Sequence, residues 1–317
     1  MHVALVGAGV VGARAARQLA QMPGVSKLSI IDREPDRARA VAAAIGAPAH
    51  GIEADDPSAC EGAEAILVAL PPVADETVCL WAIAQGIPVV SVGADPHTVD
   101  AILDSGRTGN APVVVGAGAL PGLTDVLVRH AAGLFDSIDD IRVAGAGIAG
   151  PTSVNVHRSA LTQPLQIREG QLVSVRPGVS QVGWFPEPIG ERECVRSPFS
   201  VRLLQRSFPE VPSITVWTEE PARRRRDDWG GARVEVWGMR GGRHATVVYG
   251  FAERIPAVGA VVGSVTLGAV VGLLPEVRLK SSGNVGGVSE WVVPTAMLAE
   301  CARRGITVAA FGEERGH

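Results

Sequence analysis

The chain is 317 residues long, with 46% hydrophobic residues, 38 glycines, 4% aromatics and a formal net charge of −4. That length suits two domains rather than one core, and the hydrophobic content excludes a disordered chain. The slight acidic balance gives no electrostatic case for nucleic acid or an anionic membrane surface as partner.

The first third alternates strands and helices. Residues 2–6 read as an apolar strand ending at Gly7, and 11–22 as a helix with Val11, Ala15, Leu19 and Met22 near one face. A second strand is expected at 27–31, then a helix at 35–45 stopped by Gly46. Strands follow at 65–70, 88–92 and 112–115, with helices at 75–85 and 98–105. This alternation predicts a parallel sheet with helices on both faces.

The pattern changes after GAGALPGLTD, residues 116–125. A helix at 122–134, a strand at 141–146 and a long polar stretch precede two alternating segments, 233–237 and 245–251, around Gly241-Gly242. That last arrangement predicts an antiparallel hairpin. Residues 255–275 carry no charge and are long enough to span a bilayer. They are mostly Val, Ala and Gly, with Ser264 and Thr266 inside and no aromatic belt. Gly259, Gly263, Gly268 and Gly272 suit close approach to a neighbour, so the segment reads as a buried helix in the core or at a subunit interface, and a homodimer is expected. A final helix at 292–304 stops at Gly305, before a loose tail at 313–317. The fold class is therefore α/β: an N-terminal Rossmann doubly wound parallel sheet over 1–122, then a second α+β domain with an antiparallel sheet over 123–287, serving substrate binding and dimerisation.

Cys60, Cys79, Cys194 and Cys301 form no Cys-x-x-Cys or Cys/His cluster. Neither a disulfide framework nor a metal is expected, and the chain reads as reduced and cytoplasmic, with no signal peptide before the first strand and no membrane partner.

The strongest chemical motif is Gly7-Ala8-Gly9-Val10-Val11-Gly12, directly after the first strand. Gly7 permits the tight turn, Gly9 lets the backbone approach a pyrophosphate, and Gly12 brings the helix close to the strand. Asp32 ends the next strand, where a carboxylate accepts hydrogen bonds from the adenosine ribose. The cofactor is thus NAD or NADP. Asp32 favours NAD by repelling a 2′-phosphate, and Arg33 beside it is the residue that would face such a phosphate. Ligands of such sheets lie beyond the carboxyl ends of the strands, which places the nicotinamide near Leu70, Pro71 and Pro72.

Asp95 and Asp125 are candidate catalytic carboxylates able to hold a cationic nitrogen. His97 is the candidate proton shuttle. Both aspartates sit near helix starts, where capping alone would also explain them. In the second domain His157, Arg158 and Glu290 are candidate substrate residues. Trp184, Arg192 and Arg202 lie in segments that can face the cleft, where an arginine would clamp a substrate carboxylate, while a surface salt bridge accounts better for any single one of them. Arg223–Arg226, followed by Asp227-Asp228, reads as a solvated, internally compensated loop. No GxSxG, HExxH or P-loop lysine is present.

Taken with VALVGAGVVG, IIDREPDRA, GAGALPGLTD, PLQIREGQLVSVRPG (164–178), VEVWGMRGGRHATVVYGF and GVSEWVVPTAMLAECARRGI, the chain resembles the saccharopine dehydrogenase-like family over nearly its whole length. The resemblance implies NAD(P)-linked chemistry at a C–N bond of an amino acid, opine or polyamine, with hydride moving to or from an imine carbon. It also implies that a C-terminal helix, about 288–317, packs back on the Rossmann domain. The alternative is a non-catalytic dinucleotide-binding sensor or assembly protein. No helix-turn-helix or basic arm supplies the output element a sensor needs, and the size of the second domain favours the enzyme.

Overall fold

A computed structural model describes residues 1–53, 56–106, 109–148, 150–220, 229–280 and 284–311. The Arg223–Arg226 run and the tail at 313–317 lie outside the described residues.

The N-terminal half runs β1 (His2–Val6), α1 (Gly12–Ala20), β2 (Lys27–Asp32), α2 (Pro35–Ile45), β3 (Ala49–Glu53), β4 (Ala65–Val68), α3 (Pro72–Gln85), β5 (Val89–Ser91), α4 (Pro96–Gly106), β6 (Val113–Val115) and α5 (Leu123–Ala132). It continues as β7 (Ser137–Ala146), α6 (Pro151–Ala160), β8 (Leu165–Arg168), β9 (Gln171–Ser174), β10 (Ser180–Phe185), β11 (Gly190–Arg196), α7 (Val201–Ser207) and β12 (Ser213–Glu219). The last part is β13 (Trp229–Arg240), β14 (Arg243–Arg254), α8 (Ile255–Val270), β15 (Val285–Gly287), α9 (Val288–Trp291), α10 (Pro294–Arg303) and β16 (Ala309–Phe311).

The first sheet has the order β15-β6-β5-β4-β1-β2-β3, all parallel. Its strand order reverses between β1 and β4, which opens a crevice beyond their carboxyl ends, as in every doubly wound sheet. Strand β4, AILV, is buried at every residue because helices cover both faces. The second sheet is mixed. Its path is β10-β11-β12-β7-β13-β14-β16, with β12 and β7 parallel and the other neighbours antiparallel. The expected hairpin is present and longer than its apolar alternation suggested. Arg240 pairs with Arg243 across Gly241 and Gly242, whose φ values of 57° and 75° suit a tight two-residue turn.

The charge-free segment forms α8, nearly all of it buried. Among the described residues no helix is long and apolar enough to cross a membrane. Its glycines meet partners within the same chain. A Cβ at Gly263 would stand 2.8 Å from Val92 Cγ2, and one at Gly268 would stand 2.7 Å from Met22 Sδ. The glycine faces therefore let α8 lie against α1 and the β4–β5 face of the first sheet, although the helix follows directly from the second sheet. Gly272, with φ 75°, terminates the helix instead of packing it. At the end of the chain α10 packs on α5 and α8, while β16 returns to the edge of β14 in the second sheet.

Candidate active site

A cavity of about 1270 Å³ lies between the two sheets at the carboxyl ends of β1, β4 and β5. Ordinary ligand pockets are roughly 300–1,000 Å³, so the space accommodates a dinucleotide together with a second molecule. One wall is the glycine loop, where Gly7, Gly9, Val10 and Val11 all line the cavity. Gly7 has φ 100°, and a Cβ there would overlap the Ala69 carbonyl oxygen. Gly12 lies behind the cavity, and a Cβ on it would overlap the Gly7 carbonyl oxygen. Gly9 differs from both: its backbone is open to L residues, and an added Cβ would meet no protein atom within 4 Å. The loop thus presents bare backbone to the cavity at the start of α1, the arrangement that receives a pyrophosphate on helix N–H groups.

Asp32 ends β2 at the far side of this loop and is only 5% exposed. Its Oδ2 accepts from the Ala8 N–H at 2.7 Å and its Oδ1 from the Glu34 N–H at 2.9 Å. The carboxylate thereby locks the glycine turn to the end of β2. Arg33 and Arg37 line the same end. Arg37 pairs with Glu34 at 2.6 Å and stands 3.9 Å from Asp32. Leu70, Pro71 and Pro72 line the cavity as the position of β4 requires. Pro72 does more than close the strand. It is the first residue of α3, where proline's missing N–H costs nothing.

Of the proposed catalytic residues, Asp95 lines the cavity, and its Oδ2 also accepts from the Thr98 N–H at 3.0 Å, capping α4. His97 is exposed on α4 and does not line the cavity, because Thr98 and Val99 occupy the buried side of that turn. Asp125 also lies outside the cavity. The first turns of α5 are buried on all sides, so its carboxyl is enclosed and accepts from Ser200 Oγ at 2.5 Å and Thr124 Oγ1 at 3.2 Å.

In the second domain His157 lines the cavity, with Nε2 at 2.9 Å from Thr218 Oγ1 and its ring 4.8 Å from that of Phe199. Burial pushes its pKa down to about 4, so the imidazole is neutral at neutral pH. Arg158, the next residue on α6, is half-buried and does not line the cavity. Glu290 lies outside too: its Oε1 accepts from the Gly287 N–H at 2.9 Å, capping α9, and its carboxylate pairs with Arg206 at 3.3 Å.

The sequence reading passed over Asp75. It lines the cavity from α3, is 1% exposed, and accepts from Ser91 Oγ at 2.7 Å. Ser91 Oγ in turn accepts from the Gly93 N–H at 3.0 Å, and a Cβ on Gly93 would overlap the Asp75 carboxylate. The chain of contacts fixes the turn that carries Asp95. A signal was present: Asp75, Val78, Cys79 and Ala82 form one apolar-spaced stripe, and a carboxylate in such a stripe must be buried. Treating Asp75 as the helix start concealed it, whereas the helix begins three residues earlier at Pro72.

Burial raises the pKa of Asp75 and of Asp125 to about 7, from 3.8. Each binds its proton more tightly folded than unfolded, so the stability it contributes is full below about pH 4 and is lost as pH rises through about 7. Asp125→Asn is expected to reduce the fall in melting temperature between pH 5 and pH 8, measured by calorimetry. An unchanged or steeper fall overturns the assignment.

Residues 3–106 match the family model described as the saccharopine dehydrogenase NADP binding domain. Over its length the chain is similar in fold to apo saccharopine dehydrogenase (L-Glu forming) from Saccharomyces cerevisiae, with TM-score 0.72 and 10% identity, covering 98% of this chain and 100% of that one. It is also similar to GenD2 from gentamicin A biosynthesis in complex with NAD, with TM-score 0.51 and 13% identity over 98% and 96% of the two chains. A putative myo-inositol dehydrogenase from Sinorhizobium meliloti gives TM-score 0.53 and 12% identity over 98% and 100%.

Proposed function

We propose that the chain, whose residues 3–106 match the saccharopine dehydrogenase NADP binding domain, is an NAD(P)-dependent oxidoreductase that transfers hydride to or from the carbon of a C–N bond in an amino acid, opine or polyamine. The observation that carries the reading is the placement of Asp95 in the wall of a cavity whose other side holds a neutral histidine. Gly7, Gly9, Val10 and Val11 hold the pyrophosphate, Asp32 the adenosine ribose, and Leu70, Pro71 and Pro72 the nicotinamide end. When bound, the dinucleotide supplies or accepts the hydride.

The remaining work belongs to the side chains. The Asp95 carboxylate stabilises positive charge on the substrate nitrogen, which makes the adjacent carbon a better hydride acceptor. The neutral His157 imidazole can both donate and accept a hydrogen bond, and it keeps the substrate-binding role expected of it, holding the substrate without taking up a proton. The apolar walls exclude water, which strengthens both interactions.

The test is to incubate the protein with NADH or NADPH and a panel of amine plus carbonyl pairs, and to identify reduced amines by mass spectrometry. Failure to reduce any imine or oxidise any amine with either cofactor overturns the reading. NAD is expected to bind tighter than NADP, because Asp32 is fixed at the ribose and Arg37 is already paired with Glu34. NADP binding tenfold tighter, about 1.4 kcal/mol, would mean that Arg33 governs the choice instead.

A further inference from the structure

Asp75 is a buried carboxyl to which the hydride chemistry above gives no part. It sits in the first turn of α3, three residues after Pro72, and both residues line the cavity. Pro72 belongs to the end assigned above to the nicotinamide. The Asp75 side chain is held from three sides. Ser91 Oγ donates to it at 2.7 Å from the end of β5, and Cys79 Sγ donates to it at 3.6 Å from the next turn of α3. The backbone of Gly93 closes against it so tightly that a Cβ there would overlap the carboxylate. Asp95 stands on the same wall.

Opposing influences meet at this carboxyl. Burial above all, and then the charges of Asp95 and Glu76, favour its protonated form, while the bonds from Ser91 and Cys79 favour the ionised one. The outcome is a pKa of about 7, so one further charge nearby determines which form is present at neutral pH. Among the described residues, the elements packed on α3 bring other groups that are engaged, exposed or neutral. Strand β4 presents only apolar side chains. On α4, Asp100 pairs with Arg202 at 2.9 Å, while His97 and Asp104 are exposed. In the turn Pro57–Cys60, burial pushes the Cys60 thiol up to about 11, and Asp56 ahead of it accepts from the Ser58 N–H at 2.8 Å.

The nicotinamide brings such a charge in one of its two redox states. Its ring is a cation in the oxidised dinucleotide and neutral in the reduced one, while the adenosine and pyrophosphate are the same in both. A cationic ring stabilises a carboxylate in the wall beside it. A neutral ring only displaces water, which favours the protonated acid. We infer that Asp75 couples a proton to the redox state of the cofactor, being ionised when the oxidised dinucleotide is bound and protonated when the reduced one is bound. The inference rests on the nicotinamide placement proposed above and is independent of the C–N substrate. The sign follows from linkage. The oxidised dinucleotide prefers the ionised carboxyl, so its binding expels the proton and strengthens as pH rises through about 7. The reduced dinucleotide leaves the proton in place and gains nothing from the same rise.

The test is calorimetric titration of the whole protein with NAD⁺ and with NADH, or with the NADP pair if that binds tighter, from about pH 6 to about pH 8.5. Near neutral pH the titrations are repeated in two buffers of different ionisation enthalpy, which reports protons released. The ratio of the NADH to the NAD⁺ dissociation constant is expected to rise about fivefold across the range, or about 1 kcal/mol. NAD⁺ binding is expected to release protons that NADH binding does not. Asp75→Asn keeps the shape and removes the charge, so it should flatten the ratio and abolish the release. Asp125→Asn removes the other carboxyl that titrates at about 7, but outside the cavity, and should leave both intact. Ser91→Ala keeps Asp75 and removes a bond that favours its ionised form, so the midpoint of the ratio should move to higher pH, a shift that a purely structural role would not produce. A ratio independent of pH in the parent, or a pH dependence that persists in Asp75→Asn, overturns the inference while leaving the dinucleotide site standing. Failure of either dinucleotide to bind would overturn that site, and the inference with it.

Discussion

Gly9→Val is expected to weaken dinucleotide binding by at least a hundredfold while leaving the melting temperature close to that of the parent. Both halves of the result follow from the loop. A Cβ at Gly9 meets no protein atom within 4 Å, and its φ is not in the left-handed region, so the folded chain accepts a side chain there. The direction in which that side chain points is the cavity, where the pyrophosphate must approach bare backbone. A hundredfold corresponds to about 2.7 kcal/mol, a modest demand on a branched side chain occupying ligand space. Fluorescence titration with NADH and a thermal melt check the two halves together. Gly12→Ala is the contrasting control. Its Cβ would overlap the Gly7 carbonyl oxygen, so it lowers stability before it reports on binding. Unchanged affinity in Gly9→Val would remove the pyrophosphate from this loop.

Asp95→Asn is expected to lower kcat/KM at least a hundredfold with stability nearly unchanged. Asparagine caps a helix about as well as aspartate, so the bond from the Thr98 N–H survives and α4 keeps its start. What disappears is the negative charge that the proposal sets against the substrate nitrogen. The rate loss corresponds to about 2.7 kcal/mol of transition-state stabilisation, within the range of one preorganised electrostatic contact. Near-normal turnover would reduce Asp95 to a helix cap. A fall in melting temperature alongside the activity would mean that the Asp75–Ser91–Gly93 support had been disturbed.

The parts of this protein legible in its sequence are those whose cause is local. Strand, glycine turn, helix and Asp32 follow one another within 31 residues, and the structure places them together as one wall. The hairpin declared itself through Gly241-Gly242, and α8 through its lack of charge. Strand β3, AHGIE, did not, because an edge strand with His50, Gly51 and Glu53 shows no apolar alternation. The polar stretch between β7 and β13 hid α6, five strands and α7, since α6 buries no residue and β9 buries none either. The same gap explains the site. His97 and Asp125 sat at attractive distances from strand ends, but which way a side chain turns depends on what packs behind it. Asp125 turned toward Ser200, 75 residues away in sequence. His157 was found as a residue and assigned to substrate binding, although neither its neutrality nor its partner Thr218 is visible without the cavity around it.

The first sheet is not finished when its own stretch of chain ends. Its last edge is β15, which pairs with β6 only after every strand of the second sheet but β16 has been traversed, and α8 covers the β4–β5 face from nearly as late in the chain. During synthesis, therefore, the dinucleotide-binding segment emerges first with one edge unpaired and one apolar face bare, and it waits in that state for residues 255–287. Long-range closures of this kind slow folding and leave strand edges available to wrong partners. A fragment that stops at residue 122 would hold the same liability permanently, although it contains every glycine of the binding loop.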